Sequence, residues 1–218
     1  MKRSAEQWLQ ILRQCGVKPA TAQLWSAVFA DVVKEHTFSQ DQDDFADFLP
    51  NVLHESMMLD RMEESLNYAA DRLVAVFGAH RITPAQAQQY GRIPGRQAAD
   101  QRAIANIVYG GEWGRKNLGN ILADDGWIFR GRSPIQITGR ANYQRVGDLV
   151  GQNLVGIPDL LSQPRFALEA CIAWWEDRIP DGMLGETTSI RERVNGGRNG
   201  MAEVQALTIT ARAALGVE

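Results

Sequence analysis

The sequence has few cysteines and no long apolar run. Cys15 and Cys171 are the two cysteines among 218 residues, and so few thiols fit a reduced compartment at least as well as a disulfide-bonded protein. No segment approaches the roughly 18 apolar residues that a membrane-spanning helix needs, so we expect no stable membrane insertion. Residues 1–6 are charged and lead into an amphipathic stretch in place of the apolar core of a secretion signal. These absences predict synthesis in the cytoplasm.

Histidine is scarce as well, with only His36, His54 and His80. These three lack the spacing to one another, or to cysteine, that a zinc site requires, and we therefore expect no metal. The composition is 44% apolar and 22% charged, which is typical of a globular protein. It excludes a disordered, collagen-like or coiled-coil chain.

The net charge of −3 conceals an uneven distribution along the chain. Residues 71–150 contain 11 basic and 6 acidic side chains, a balance of +5, whereas the segments before and after them are acidic. A basic middle third attracts anionic polymers. The alternative is a solvated surface with scattered arginines, and the charge count alone does not decide between them.

Caps and apolar periodicity predict a mainly helical protein. Ser4 with Gln7 resembles a capping box, and Pro19 and Thr83-Pro84 are typical of helix starts. Further helices are predicted from about Asp41, over residues 98–109, from about Ala141, over residues 164–178 and over residues 199–215. Residues 110–139 are rich in Gly, Asp, Arg and aromatic residues and predict one long irregular loop, with residues 127–129 and 135–137 as the best strand candidates. A long ordered loop in a compact domain is usually functional.

Two glutamates follow an apolar helix. Glu55 ends the predicted third helix, where burial would favour a protonated carboxyl group, although a solvated helix end is equally compatible with this motif. Glu64 follows nine residues later; on one unbroken helix the two side chains would point to opposite faces, roughly 13.5 Å apart along the axis. If both act on one bond, the helix must end near Leu59. Glu63 competes for the second role, but neighbouring side chains of an extended chain point in opposite directions.

Three motifs in order resemble glycoside hydrolase family 19. They are His-Glu-Ser at 54–56 followed by Glu-Ser-Leu-Asn-Tyr-Ala-Ala at 64–70, the block Gly-Arg-Ser-Pro-Ile-Gln-Ile-Thr-Gly-Arg-Ala-Asn-Tyr ending at Tyr143, and Asn-Gly-Gly at 195–197. The resemblance implies a mainly α, lysozyme-like domain with two lobes, a deep substrate cleft, a long irregular loop and at most a small β element. It also implies hydrolysis of β-1,4 links in N-acetylated sugar polymers with inversion, without a cofactor.

The resemblance assigns roles by position. Glu55 is similar to the general acid of the family, Glu64 to the general base, and Thr138 to the hydroxyl residue that holds the attacking water. Polar residues that would line the sugar groove are Gln136, Asn142 and Asn195. Trp127 and Tyr68 either stack on a sugar ring or pack internally, and Tyr143 has the same alternatives. At least one ring of Trp174-Trp175 is expected in the core. Two alternative roles apply to Arg130, Arg132 and Arg140. They either brace the loop by pairing with acids, including one of the glutamates, or contact the substrate.

Two positions depart from the family pattern. Ser133 stands where the family usually has glycine, and Glu203-Val204 stands where an Asp-Arg pair is frequent. We treat residues 1–218 as a single catalytic domain, with residues 1–40 as a helical lead-in, residues 41–218 as the family-like core and no separate cell-wall-binding module.

The family includes chitinases and the peptidoglycan-cleaving lysins of bacteriophages, so three functions are considered. The first is an endolysin that cuts MurNAc–GlcNAc strands during host lysis, acting at the cell wall after release by a separate holin-type protein. The second is a chitinase acting on chitin oligomers. The third is a catalytically silent glycan-binding relative. We expect a monomer with no nucleic-acid partner.

Overall fold

A computed structural model describes residues 2–217, and within this range the chain is mainly helical. The helices are α1 (Ala5–Gln14), α2 (Pro19–Val32), α3 (Gln42–Glu55), α4 (Ala70–Phe77), α5 (Pro84–Tyr90), α6 (Gln101–Val108), α7 (Gly111–Leu118), α8 (Asp125–Ile128), α9 (Arg140–Val150), α10 (Pro164–Arg178), α11 (Thr187–Asn195) and α12 (Met201–Leu215), with short 3₁₀ turns at Pro158–Ser162 and Asp181–Met183. The prediction of a mainly α protein with at most a small β element is confirmed. None of the described helices combines the length and the apolar character required to cross a bilayer.

Local signals place several helix starts where the sequence predicted them. Ser4 accepts a hydrogen bond from the Gln7 amide while the Gln7 side chain accepts one from the Ser4 amide, which is a complete capping box. Thr83 and Gln86 form a second one before α5. Pro19 and Pro164 occupy the first turns of α2 and α10, where a missing amide hydrogen costs nothing.

The prediction of one irregular loop over residues 110–139 is wrong, because α7 and α8 lie within it. Two glycines there lie inside helices and allow close packing: a Cβ on Gly114 would lie 2.0 Å from the Tyr109 carbonyl oxygen, and one on Gly126 2.4 Å from that of Ala105. The strand candidates fail as well. Residues 127 and 128 belong to α8, and β pairing in the described chain is limited to isolated bridges, two of which join Arg132 to Glu63 and to Ile137. Helices α4 and α11 were not anticipated.

The described chain divides into two compact units. The first comprises residues 2–62, 133–136 and 159–217 and contains α1, α2, α3, α10, α11 and α12. Its core is rich in aromatic rings: Trp8 lies 4.9 Å from Phe45 between ring centres, and Phe48 meets Trp175 edge-on at 5.5 Å. Trp175 is therefore the core ring expected from the Trp174-Trp175 pair. Such buried aromatic pairs add to the free energy gained from apolar burial.

Both cysteines are free thiols buried in the first unit. Burial raises the pKa of Cys15 to about 11 and that of Cys171 to about 12. The two residues lie in the same hydrophobic core as Trp8 and Trp175. They act as small apolar side chains rather than as a disulfide.

The second unit comprises residues 63–132 and 137–158 and contains α4 to α9. Its core is formed by apolar side chains of α4, α6 and the connecting segments, among them Leu66, Leu73, Ile82, Ile104 and Val108. Asp125 is fully buried at the start of α8. It accepts hydrogen bonds from the Ile121 and Leu122 amides and pairs with Arg140, which fixes the start of α9.

Helix α3 ends at Glu55, before Leu59, near which the helix was predicted to end if both glutamates act on one bond. Ser56 follows, and its hydroxyl group accepts a hydrogen bond from the Leu59 amide at 2.8 Å. Met57, Met58 and Leu59 all have left-handed backbone conformations, with φ of 51°, 61° and 66°, which is unfavourable for side chains larger than glycine. Burial of Leu59 offsets part of this cost. No continuous helix therefore joins Glu55 to Glu64.

Candidate active site

In the first unit, Glu55 is held by two residues one turn apart on α11. Arg191 Nη1 lies 2.5 Å from Glu55 Oε1 as an ion pair without in-line hydrogen-bond geometry, and Asn195 Nδ2 donates to the same oxygen at 3.3 Å. Among the described residues both contacts fall on Oε1. Oε2 has no such contact with a described residue.

Arg191 was missed by the sequence reasoning. Its side chain is 1% exposed and its Nε donates to the Asn199 carbonyl oxygen at 2.8 Å. The available signal was its position four residues before Asn195, because side chains at i and i+4 share one helix face. Val204, which stands at one of the positions where the family has a charged pair, is buried in the core.

In the second unit, Glu64 is fixed through both carboxyl oxygens. The Tyr109 hydroxyl group donates to Oε2 at 2.7 Å, and the Gly131 amide donates to Oε1 at 2.5 Å. The Glu64 amide in turn donates to the Gly131 carbonyl oxygen at 2.9 Å. Burial, and then the Glu64 carboxylate, raise the pKa of Tyr109, so its hydroxyl group stays a hydrogen-bond donor at neutral pH. Two donors aimed at one carboxylate orient it closely.

Glu63 has different surroundings from Glu64. Arg130 Nη2 lies 2.5 Å from Glu63 Oε1, and Arg132 Nε lies 3.2 Å from Oε2. Burial raises the pKa of Glu63, but the two guanidinium groups outweigh it and hold that pKa below its ordinary value. Arg132 is buried and also donates to the Tyr143 hydroxyl group. Of the two roles considered for Arg130 and Arg132, these contacts favour bracing of the loop through a glutamate.

The other residues predicted to line the groove make hydrogen bonds within residues 133–142. Asn142 Nδ2 donates to the Thr138 carbonyl oxygen at 2.8 Å, and Gln136 Nε2 donates to the Ser133 carbonyl oxygen at 2.9 Å. Thr138 is half-buried. Ser133 has φ of 69°, a left-handed conformation that glycine adopts without strain, which accounts for the glycine usual in the family. Contacts of these residues with a sugar stay predictions.

Two aromatic side chains also have internal contacts. The Arg130 guanidinium stacks over the Trp127 ring at 3.8 Å, and the Tyr68 ring meets Phe77 edge-on at 5.2 Å. These contacts support the packing alternative for both rings. Stacking on a sugar through their other faces stays a prediction. No group of three or more His, Cys, Asp or Glu side chains in the described part of the chain is arranged to hold a metal ion.

Comparison with known proteins shows which family the chain resembles. Residues 83–181 match the family model Glyco_hydro_19, Chitinase class I. A "Glycosyl hydrolase family 19 domain-containing protein" from Haemophilus influenzae is 29% identical over 180 residues, 83% of each chain. Residues 83–181 thus resemble the glycoside hydrolase family 19 domain. "Chitinase 11" from Oryza sativa subsp. japonica is 41% identical over 64 residues, which is 29% of this chain and 25% of that protein.

The fold is also similar to that of a solved chitinase. Chitinase C from Streptomyces griseus HUT6037 superposes with a TM-score of 0.52 at 20% identity, covering 98% of this chain and 92% of that one. At this identity the likeness concerns the fold alone. The described chain has the mainly helical fold of this chitinase, and the match of residues 83–181 indicates a glycoside hydrolase. The family-model match includes Trp127, Gln136, Thr138 and Asn142 and begins after Glu64, so the roles of Glu55 and Glu64 stay predictions.

Proposed function

We propose that this glycoside hydrolase is an endolysin that hydrolyses the MurNAc–GlcNAc glycan of peptidoglycan. The observation that supports this choice is the balance of +5 over residues 71–150, the part of the chain that includes most of the second unit. Peptidoglycan carries carboxylates on its peptide stems and is anionic, whereas chitin is neutral. A basic surface raises the local concentration of an anionic polymer and has no such use with chitin.

In the proposed mechanism, Glu55 is the acid and Glu64 the base. A proton on Glu55 Oε2 passes to the glycosidic oxygen as the bond from that oxygen to the anomeric carbon breaks. The Glu64 carboxylate takes a proton from a water molecule that attacks the anomeric carbon from the opposite face, so the configuration inverts. Thr138 orients this water by a hydrogen bond. The contacts of Tyr109 and Gly131 with Glu64 support its role, because a base must be held at a fixed angle to the water.

Recognition of the sugar chain is assigned to the amides of Gln136, Asn142 and Asn195, which suit hydroxyl and N-acetyl groups. Asn195 has one feature in favour of this role. Its Oδ1 is buried and has no hydrogen-bond partner among the described residues, and a buried acceptor of this kind is costly unless a donor reaches it. A sugar hydroxyl group supplies such a donor.

The remaining parts of the proposal concern the context of the enzyme. We propose a monomer in which residues 1–218 act as one catalytic domain, residues 1–40 as a lead-in and residues 41–218 as the family-like core. It acts on the cell wall after synthesis in the cytoplasm and release by a holin-type protein, and it binds no nucleic acid. A chitinase is the second candidate, because the matched family model is that of class I chitinases.

The decisive experiment compares wild type with Glu55→Gln on purified peptidoglycan and on soluble chitin oligomers. We expect wild type to clear peptidoglycan and release new reducing ends, and Glu55→Gln to do neither, because an amide cannot donate the proton. Circular dichroism of the variant checks that it is folded. Activity on chitin oligomers alone would establish the chitinase, and binding without turnover on both substrates would establish the silent relative.

A further inference from the structure

A pocket of about 430 Å³ lies on the second unit beside the segment that leads into α7. Its lining includes the charged and polar side chains of His80, Arg81, Glu112, Lys116 and Asn117, with the ring of Trp113. The volume falls in the range of ordinary ligand sites. None of these residues has a part in the mechanism described above.

Arg81 is the fixed element of this pocket. Its Nε donates to the Val108 carbonyl oxygen at 2.8 Å, and its guanidinium lies 3.7 Å from the centre of the Trp113 ring. The same group lies 5.2 Å from the Phe77 ring centre and 5.5 Å from that of Tyr109. A guanidinium held among three aromatic rings loses little further freedom when it binds an anion.

Gly78 leaves room for the His80 ring at the pocket wall. A Cβ there would lie 2.6 Å from the His80 ring, so the absence of a side chain lets the imidazole approach the backbone. Gly78 also has φ of 84°, which glycine adopts freely. His80 therefore lies beside Arg81 at the pocket wall.

Tyr109 connects Arg81 in the pocket wall to Glu64, the proposed base. Tyr109 donates a hydrogen bond to Glu64 from its hydroxyl group, while its ring carries Arg81 on the pocket side. A group bound in the pocket would therefore belong to a part of the substrate near the bond that is cut. The sugar backbone of chitin offers only neutral groups there, whereas peptidoglycan offers charged ones.

We propose that this pocket binds the charged peptide stem of peptidoglycan, with a stem carboxylate at Arg81 and Lys116. The proposal rests on the function proposed above and deepens it by assigning the residues that recognise the part of the polymer that chitin lacks. Glu112, the one acid in the lining, faces the amino group that an uncrosslinked stem carries. Trp113 covers the apolar part of the stem. In intact peptidoglycan the lactyl carboxyl group of muramic acid forms the amide bond to the stem, so only the stem supplies a free carboxylate. Removal of the stem frees the lactyl carboxylate, and the test separates the two.

The test compares Lys116→Glu with Arg115→Glu. Both residues lie in the last turn of α7 and are exposed, so the two variants change the net charge and the helix-end electrostatics equally. Only Lys116 lines the pocket. The substrates are intact peptidoglycan, glycan strands freed of peptide by an amidase, which carry the lactyl carboxylate, and neutral chitin oligomers.

We expect Lys116→Glu to lower kcat/KM on intact peptidoglycan about tenfold, the scale of one charge-assisted hydrogen bond, and Arg115→Glu to change it less than twofold. Activity on chitin oligomers should be equal for both variants. A loss of equal size on the peptide-free strands would show that the pocket binds the lactyl carboxylate freed by the amidase as readily as a stem carboxylate, and would overturn the assignment to the stem. Equal losses for both variants, or equal losses of Lys116→Glu on all three substrates, would overturn the proposal.

Direct binding separates failure of the pocket from failure of the proposed function. Muramyl dipeptide contains the carboxylate but no β-1,4 bond to cut, so its affinity by calorimetry does not depend on turnover. We expect binding to wild type and to Arg115→Glu, and binding at least about tenfold weaker to Lys116→Glu. Wild type that clears peptidoglycan but does not bind the dipeptide would overturn the pocket alone. Wild type that hydrolyses only chitin would overturn the proposed function.

Discussion

The pairing of Arg191 with Glu55 predicts a measurable coupling between the two residues. Arg191 is buried and Glu55 is 17% exposed, so removal of the guanidinium leaves a nearly buried carboxylate without its cation. Arg191→Met keeps a flexible chain of similar length and removes the charge. Loss of one partner from a buried pair costs roughly 3 kcal/mol in the free energy of unfolding, which lowers the Tm by about 6–12 °C for a chain of this size.

A double-mutant cycle isolates this interaction from other effects of the substitution. In Glu55→Gln the partner is neutral, so Arg191→Met should cost at least about 1 kcal/mol less than it does in wild type. Urea unfolding followed by circular dichroism measures all four proteins under one set of conditions. Effects of Arg191→Met that agree within about 0.5 kcal/mol in the two backgrounds would refute the pairing. The packing of Arg191 and its bond to Asn199 would then account for the whole loss.

Three further predictions concern the second unit. In a reducing-end assay, Glu64→Gln should reduce kcat at least about 100-fold, whereas Glu63→Gln should retain most activity. An inactive Glu63→Gln with an active Glu64→Gln would reverse the assignment of the base. Tyr109→Phe should lower kcat about tenfold with little change in KM, since it removes one donor to Glu64, and an unchanged kcat would dismiss that donor. Burial raises the pKa of Asp125, but Arg140 and two backbone amides outweigh it and hold that pKa below its ordinary value. The contribution of Asp125 to stability is therefore complete above the ordinary carboxyl pKa and is lost as the pH falls through the lowered pKa. Asp125→Asn should reduce the loss of Tm at acid pH in thermal unfolding measured against pH.

Helix boundaries set by local chemistry could be predicted from the sequence. α10 begins at Pro164 and ends at Arg178 as predicted, because the proline and the apolar pattern act within a few residues. α7 could not be predicted in the same way. Its glycines weaken the helical pattern, and the close approach of Gly114 to the Tyr109 carbonyl oxygen depends on packing that no local pattern records.

The candidate site could likewise be predicted only in part. Motifs located Glu55 and Glu64, and their spacing predicted the helix end between them. The partners of these residues could not be predicted, because they come from distant parts of the chain: Glu63 meets Arg130 and Arg132 across more than 60 residues of sequence, and Arg191 reaches Glu55 from α11. Opposite charges are abundant in the sequence, and only the folded chain selects the pairs.

The two buried thiols allow local opening of the first unit to be measured without an added probe. Cys15 and Cys171 belong to the first unit, which also carries Glu55, and their raised pKa values keep them protonated and unreactive while that unit is folded. A thiol reagent modifies them only during transient exposure, so the labelling rate in the absence of denaturant measures how often this unit opens. The second unit contains no cysteine. Labelling therefore follows one unit of the enzyme selectively, with no residue added or replaced.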